Sequence, residues 1–373
     1  MRIAHVTDFY LPRLGGIEMH VSDLALRQVE AGHEVEVITS SPAGGEADRF
    51  GAVLVHRLSA DLPFAHALHP AAVFRGRRAL LRGAYDVVHV HAGVYSPLAF
   101  AATHAAVRAD IPVVLTEHSL AAYMAPAFRG LDVPVRWSRW PVQWTAVSDV
   151  AAEPLRRLVR DPDAVSILPN GIDPRVWTVK PRPRLASEVV VVAVGRLALR
   201  KRPRHLLRLL RTARRRLPAD IRLRAVLIGD GPERAGLERY ARRHDMGWVD
   251  FAGRLPREEI RRVFARADLF AAPAVLESFG IAALEARCAG LPVVARAESG
   301  VASFVTSGRE GLLVDSDDAM ADAIVALARD PERRSAIARH NRRTLPDMTW
   351  EQVLLRTEDA YAAAGADTGV RAA

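Results

Sequence analysis

Ala271-Ala272-Pro273-Ala274-Val275-Leu276-Glu277-Ser278-Phe279-Gly280-Ile281-Ala282-Ala283-Leu284-Glu285-Ala286-Arg287-Cys288-Ala289-Gly290-Leu291-Pro292-Val293-Val294-Ala295 is the stretch that decides the fold. It reads as strand, loop, helix, turn and strand. A strand ends near Ala272, Glu277 falls in the loop, a helix starts near Gly280, and Gly290-Leu291-Pro292 stops it. Two carboxylates, Glu277 and Glu285, thereby bracket a helix N-terminus. The N–H groups around Phe279, Gly280 and Ile281 suit phosphate oxygens, and carboxylates are natural acceptors for vicinal hydroxyls. At 1.5 Å per residue the two Glu positions lie at most roughly 12 Å apart, comparable with the reach from a sugar across a diphosphate to a ribose. The geometry inferred is one Glu per sugar ring. The bland alternative makes Glu277 a first-turn charge and Glu285 a surface residue. Against it, Glu285 sits among Ala283, Leu284 and Ala286, where a carboxylate without a partner is costly.

Outward from this unit the same alternation runs along the chain, as expected of βαβ units with a parallel sheet covered on both faces. Strands are expected in the first half at Ile3–Phe9, Glu34–Ser40, Val53–Leu58, Val87–His91, Pro112–Glu117, Thr145–Ser148 and Val165–Leu168. In the second half they are expected at Val189–Gly195, Arg222–Gly229, Trp248–Ala252, Leu269–Ala272, Pro292–Ala295 and Gly311–Val314. Asn170-Gly171-Ile172-Asp173-Pro174 and Lys180-Pro181-Arg182-Pro183-Arg184 can continue neither helix nor central strand, which places the linker. Helices follow at Asp317–Arg329, Pro331–Arg343 and Trp350–Ala364, with an Ala- and Arg-rich tail. The fold class is α/β: two Rossmann-like doubly wound domains, 1–172 and 173–349, with the helix 350–364 joining the first. Ligands of such domains lie at the carboxyl ends of the strands, here in a cleft.

The 373 residues suffice for two domains with their own cores. Half of them are hydrophobic and a quarter charged, with no apolar run of the roughly 20 residues a spanning helix needs. The opening Met1-Arg2-Ile3-Ala4-His5-Val6 enters a strand pattern without signal-peptide regions, so a cytoplasmic location is expected. The single Cys288 is read as a small buried hydrophobe. A net charge of +9 suits nucleic acid, an anionic membrane or a polyphosphate substrate alike. Nucleic acid is set aside because no recognised motif or aromatic platform accompanies the charge. Nearly all the basic residues are arginine, with Lys180 and Lys201 the two lysines, so Lys201 stands out.

Two further loops follow strands. Asp8-Phe9-Tyr10-Leu11-Pro12-Arg13-Leu14-Gly15-Gly16-Ile17-Glu18 places paired glycines at a helix start near Ile17, where backbone can approach a phosphate closely; a plain strand–helix turn is the equal alternative. It is not a G-x-G-x-x-G fingerprint. Gly195-Arg196-Leu197-Ala198-Leu199-Arg200-Lys201-Arg202-Pro203 is a basic loop closed by a helix-opening proline. It suits a diphosphate, or else is a solvated basic loop.

Taken in order, Gly15-Gly16-Ile17-Glu18, Pro169-Asn170-Gly171-Ile172-Asp173, Gly195-Arg196 through Lys201, Ile228-Gly229-Asp230-Gly231-Pro232 and Glu277 through Glu285 closely resemble the retaining GT-B glycosyltransferases of family 4. The resemblance runs along nearly the whole chain, and the E-x7-E segment is its specific part. Within the family, Asp8-Phe9, Pro12, Gly15-Gly16, His20 and Thr116-Glu117-His118-Ser119-Leu120 look most like phosphatidylinositol N-acetylglucosaminyltransferases, with phosphatidylinositol mannosyltransferases on the same scaffold. The resemblance implies that Gly15 and Gly16 meet the donor phosphates or the transferring sugar, and that Arg196 and Lys201 clamp the diphosphate. It gives Glu277 the sugar hydroxyls, Glu285 the ribose and His118 a place beside the donor sugar. Ser278, Phe279, Gly280 and Ile281 complete the donor-binding set. It further implies a metal-independent, retaining transfer of a hexose or N-acetylhexosamine from a UDP- or GDP-linked sugar to an acceptor hydroxyl. No cofactor or protein nucleophile is needed, because the donor's own phosphate accepts the proton. Many relatives carry Gly-Gly-x-Pro-Glu where this chain reads Glu298-Ser299-Gly300-Val301-Ala302-Ser303, so the local geometry there is open. Asp315-Ser316-Asp317 matches a metal-binding D-x-D string but reads as an N-cap.

A lipid acceptor such as phosphatidylinositol requires a membrane-facing surface, making the protein peripheral on the inner face. Two stretches qualify as basic and apolar mixtures: Phe74-Arg75-Gly76-Arg77-Arg78-Ala79-Leu80-Leu81-Arg82 and Arg136-Trp137-Ser138-Arg139-Trp140. An ordinary helix face and a core edge are the alternatives. Two other function classes share these features: a nucleotide-sugar epimerase of the same architecture, and a non-catalytic lipid-binding protein.

Overall fold

The computed structural model describes residues 1–13, 15–42, 49–59, 70–93, 95–119, 125–181 and 187–368, the side chains of 125–128 and 131 excepted. Leu14, Leu120, Arg182-Pro183-Arg184 and the last five residues of the tail lie outside the described residues. The chain divides into two units, Met1–Gly171 with Met348–Ala373, and Ile172–Asp347.

The first unit runs β1 (Arg2–Thr7), α1 (Gly16–Glu30), β2 (Glu34–Thr39), β3 (Arg49–Phe50), β4 (Val53–Arg57), α2 (Pro70–Arg82), β5 (Val87–Ala92), α3 (Pro97–Arg108), β6 (Val113–Glu117), α4 (Ala125–Val135), β7 (Gln143–Ala146), α5 (Asp149–Arg156) and β8 (Ser166–Ile167). Its sheet has the order β3-β4-β2-β1-β5-β6-β7-β8. Every pairing is parallel except that of β3 with β4. β5 is buried along its whole length, as a central parallel strand covered on both faces must be. The added strand β3 is two exposed residues, too short to carry an alternating pattern. The chain enters at β1, builds outward to β4 and returns at β5, so the loops after β1 and β5 diverge at a switch point.

The second unit runs α6 (Pro174–Trp177), β9 (Glu188–Val194), α7 (Pro203–Arg216), β10 (Arg222–Ile228), α8 (Arg234–Arg243), β11 (Val249–Gly253), α9 (Arg257–Phe264), β12 (Leu269–Ala272), α10 (Ile281–Cys288), β13 (Val293–Arg296), β14 (Gly311–Val314), α11 (Asp317–Arg329) and α12 (Pro331–Arg343). The parallel order β11-β10-β9-β12-β13-β14 puts its switch point between β9 and β12. Its core packs Val189, Val191, Leu223, Leu227 and Leu269 of the strands against Leu206, Leu210, Ile324 and Leu327 of the helices. Burying each such side chain stabilises the fold by about 1.5–3 kcal/mol.

The last helix, α13 (Trp350–Ala363), packs with the first unit. Thr349 caps it by accepting from the Gln352 N–H. Trp350 and Val353 pack on Leu24, while Tyr361 and Ala360 join the core of Ile3, Val35, Val87 and Val114. A Cβ at Gly171 would stand 2.4 Å from the Trp350 ring, so the end of the first unit needs glycine where the returning helix docks. Asp173, just beyond, caps α6 by accepting from the Arg175 N–H at 3.0 Å.

Candidate donor site and the buried histidines

In the second unit the loops after β9 and β12 meet at the switch point. Lys201 ends a short 3-10 turn, Leu199–Lys201, and its Nζ donates to Glu277 Oε2 at 2.5 Å. Arg200 Nε donates to the Leu276 carbonyl at 3.3 Å. Arg202 next in line has φ of +54°, a left-handed conformation that a non-glycine side chain adopts at a cost. What holds it there is a fork onto Asp317 at 2.8 and 2.9 Å and a bond to the Pro273 carbonyl at 3.1 Å. Arg296 also reaches Asp317, at 3.3 Å, as well as Glu298 at 2.8 Å and the Asp315 carbonyl. This Arg202–Asp317–Arg296 cluster fixes the backbone on which Lys201 stands. Ser316 caps α11 by accepting from the Ala319 N–H at 3.1 Å, so Asp315-Ser316-Asp317 is a cap and an arginine clasp.

Gly280 has φ of +93° and opens α10, so Ser278, Phe279, Gly280 and Ile281 wrap the helix start. Phe279 is buried and its ring lies 5.4 Å from that of Phe304. Among the described residues no backbone partner accepts from the N–H groups of Phe279, Gly280 and Ile281. The loop that departs from the relatives' pattern supports this turn. The Gly300 N–H donates to the Glu277 carbonyl at 2.7 Å, and a Cβ at Gly300 would stand 2.0 Å from the Ser278 oxygen. Ser299, fully buried, ties back to the Arg296 carbonyl at 2.7 Å. Glu285 is buried on α10, at 9 % exposure, not on the surface. Cys288 at the end of the helix is buried too, and burial pushes its thiol up to about 12, so it is an inert hydrophobe. Arg196 is exposed at the carboxyl end of β9. Gly229 and Gly231 pack against that loop, where added Cβ atoms would stand 2.0 Å from the Gly195 oxygen and 2.4 Å from the Leu197 oxygen.

In the first unit Gly15 and Gly16 start α1, but the space beside Gly15 holds a carboxylate. A Cβ there would stand 2.3 Å from Glu18 Oε2, and Glu18 pairs with Arg13 at 3.1 Å. Asp8 accepts from the Leu98 and Ala99 N–H groups at 3.0 and 3.1 Å, which fills the start of α3. Burial raises its carboxyl to about 6 against those hydrogen bonds.

His118 follows β6 and is buried at 5 % exposure. It contacts His91 on β5 and His20 on α1, and through His91 it joins His5 on β1 and, beside it, His89 on β5. His-Val-His in a strand puts both rings on one face, and polar side chains in a central parallel strand are the signal that could have found them. His91 bridges His5 at 2.8 Å and His118 at 2.9 Å. Burial holds His5 down to about 4 and His118 to about 3, and it holds His20, His89 and His91 well below the usual imidazole range. Ligand atoms of His5, His89 and His91 lie within 4.8 Å of one another, a spacing a metal ion could bridge. Yet the His89 and His91 rings stack at 4.2 Å, and both nitrogens of all three rings sit in hydrogen bonds. The three are a hydrogen-bonded cluster.

Of the two membrane-facing stretches, α2 presents Phe74 at 78 % and Leu81 at 45 % exposure beside exposed Arg77, Arg78 and Arg82. The other is corrected: Trp137 is 2 % exposed and packs on Phe100 and Trp144, and Trp140 stacks on His104. The aromatic–basic pattern there is a core edge. No helix among the described residues is long and apolar enough to cross a membrane.

Comparison with known proteins places this geometry. Residues 14–176 match the family described as Glycosyltransferase Family 4, and residues 179–344 the family described as Glycosyl transferases group 1. A D-inositol 3-phosphate glycosyltransferase of Xylanimonas cellulosilytica is 31% identical, the match covering 94% of this chain and 92% of that protein. One of Stackebrandtia nassauensis, under the same name, is 31% identical over 87% of this chain and 81% of its own. Among solved structures, Anabaena HepE in complex with UDP and glucose matches with a TM-score of 0.77 at 18% identity, covering 97% of this chain and 100% of its own. The sucrose-phosphate synthase of Thermosynechococcus elongatus matches with a TM-score of 0.79 at 21% identity, covering 98% and 100%. The fold is that of the GT-B glycosyltransferases.

Proposed function

We propose that this chain, which belongs to the family 4 glycosyltransferases, moves a hexose or N-acetylhexosamine from a nucleoside diphosphate sugar to the hydroxyl of a polyol acceptor, with retention and without a metal. The observation that carries the donor reading is the Lys201–Glu277 pair set beside the start of α10. A bound donor exchanges that pair for its own contacts: diphosphate oxygens take Lys201, Arg196 and the N–H groups of Phe279, Gly280 and Ile281, and sugar hydroxyls take Glu277. Ser278 lies in the same turn, and Glu285 takes the ribose. Lys201 and Arg196 then stabilise charge developing on the leaving diphosphate, which is usually the largest catalytic contribution. Within the first unit, Gly15, Gly16 and His118 keep the roles toward the donor that the family resemblance gives them. For Gly15 this requires Glu18 and Arg13 to move off the loop. Membership of a transferase family argues against the epimerase and binding-protein alternatives.

The acceptor follows from the relatives' name, an inositol phosphate, whose phosphate suits so basic a chain. A phosphatidylinositol is the second reading, favoured by exposed Phe74 and Leu81 amid the arginines of α2. It puts the protein peripherally on the inner face of the membrane. Melting the protein against UDP, GDP and their sugars tests the donor, because a ligand bound to the folded state alone raises the transition in proportion to its affinity. A stabilising nucleotide sugar is expected, and no shift with any nucleotide would sink the proposal. Product anomer by NMR tests retention, and unchanged turnover in excess chelator tests metal independence. Sedimentation with anionic vesicles at low salt decides the lipid reading.

A further inference from the structure

Eight buried polar side chains of the first unit, Thr145, Thr116, His89, Tyr361, Gln28, His5, His91 and His118, form one continuous hydrogen-bonded series. It starts at the Leu115 carbonyl, which can only accept. Thr145 Oγ1 donates to it at 3.2 Å, which sets the direction in which every acceptor of the series is used. Thr116 Oγ1 must therefore donate to Thr145 Oγ1 across 2.6 Å, and it accepts from His89 Nε2 at 2.8 Å. A neutral His89 with its proton on Nε2 has an accepting Nδ1. The Tyr361 hydroxyl donates to that nitrogen at 3.0 Å and accepts from Gln28 Nε2 at 2.8 Å. Gln28 must then turn its Oε1 toward His5, whose Nε2 donates across 2.6 Å. The direction passes on: His91 Nε2 donates to His5 Nδ1 at 2.8 Å, and His118 Nε2 donates to His91 Nδ1 at 2.9 Å. Every side chain in the series is at most 5 % exposed, so each ring is held neutral and the series that satisfies the most acceptors is favoured. The reverse direction would leave the Leu115 carbonyl without the Thr145 proton and would require Gln28 to turn its amide over.

We propose that this series makes His91, His5, Gln28 and Tyr361 positioning residues for His118, locking it in the Nε2–H tautomer with Nδ1 as its accepting nitrogen. The consequence for chemistry rests on the transferase reading: a neutral accepting imidazole takes a hydrogen bond from a sugar hydroxyl and adds no charge beside the departing diphosphate. It also gives α13 a task. The carboxyl-terminal helix supplies Tyr361, which joins the His89 and Gln28 parts of the hydrogen-bonded series within the first unit, so its docking sets a proton position at the end of β6.

Long-range ¹H–¹⁵N spectra of the full chain with ¹⁵N-labelled histidine read tautomers directly, and His118→Gln and His91→Gln assign their rings by loss. At pH 7 the expected result is neutral Nε2–H rings for His5, His89, His91 and His118. An Nδ1–H or cationic form of His118 in the wild-type protein overturns the proposal, whether or not any variant folds. Tyr361→Phe keeps the ring and removes the joint. Part of the His118 signal is then expected to move to the Nδ1–H form, with kcat falling and donor KM unchanged. Unaltered tautomers in that variant also overturn it. Because the spectra need no substrate, failure to find a donor would count against the transferase reading and leave this test standing.

Discussion

The two units are built on the same plan and equip it with different polar groups: ion pairs in one, neutral histidines in the other. In the second, the core is aliphatic, its buried charges sit in ion pairs such as Arg287–Glu310 and Arg334–Asp268, and a Lys201–Glu277 pair stands at the carboxyl ends of β9 and β12. In the first, five histidines lie buried at or beneath the strand ends; His5, His89, His91 and His118 are joined in one hydrogen-bonded series with Gln28, Tyr361 and Thr116, and His20 stacks on Trp350 beside them. The difference teaches that a switch point can be equipped in two ways. An ion pair that water still reaches can be exchanged for a charged ligand, because the ligand's own charges replace the partner each side chain gives up. A buried neutral network holds proton positions, and it is costly to break because its groups have no water to turn to.

Acid should separate the units most strongly. Unfolded histidines take up protons below about 6.5, whereas His5 resists down to about 4 and His118 to about 3. The stability they confer is complete above 6.5 and is lost as the pH falls. By pH 4 these two cost on the order of 6 kcal/mol together, comparable with the whole stability of a domain. His20, His89 and His91 act in the same direction. None of the second unit's histidines, His205, His244 and His340, is buried. Hydrogen exchange with peptide-level readout should show the first unit losing protection between pH 6.5 and 4 while the second keeps it. Coincident loss in both would break the comparison.

Next in size is Glu277→Ala, which removes the acceptor assigned to sugar hydroxyls. Its kcat should fall on the order of 10²- to 10³-fold, with the melting temperature nearly unchanged. A wild-type turnover in that variant would leave the ion pair a surface ornament. Gly300→Ala pushes a methyl group into the Ser278 carbonyl and should cost about 1–3 kcal/mol by denaturant titration. Nucleotide stabilisation should weaken with it, because the same peptide carries Glu277; a loss of stability with undiminished nucleotide response would separate the two. The smallest effect expected is that of Ser316→Ala, about 1 kcal/mol from a lost cap. It should leave the response to divalent metal ions as it was, and a changed response would revive the D-x-D alternative.

Much of the scaffold was legible in advance. Apolar runs of strand length mark the parallel strands because both faces are covered, and the limits of α11 and α12 follow from Ser316, Asp330 and Pro331. The loop containing Glu277 was legible because glycine and proline punctuate it. The two-residue β3 was not, having too few residues for any period. Trp137 misled because a tryptophan between arginines reads the same whether it faces a membrane or the core. Glu18 misled in the opposite sense: a loop with paired glycines advertises room for an anion, and nothing local says that the next turn's own carboxylate occupies it.

What the sequence alone determined, then, is whatever depends on neighbours in the chain: strand periods, caps, the helix start at Gly280 and the order of the motifs that carry the family. What only the tertiary structure decided are the meetings across strands and across hundreds of residues. Lys201 reaches Glu277 because β9 and β12 are adjacent in the sheet, and Tyr361 reaches His89 because the last helix returns to the first unit. Hydrogen bonds and ion pairs act over about 3 Å in space and have no period along the chain. Such contacts leave no pattern to read until the sheet order is known.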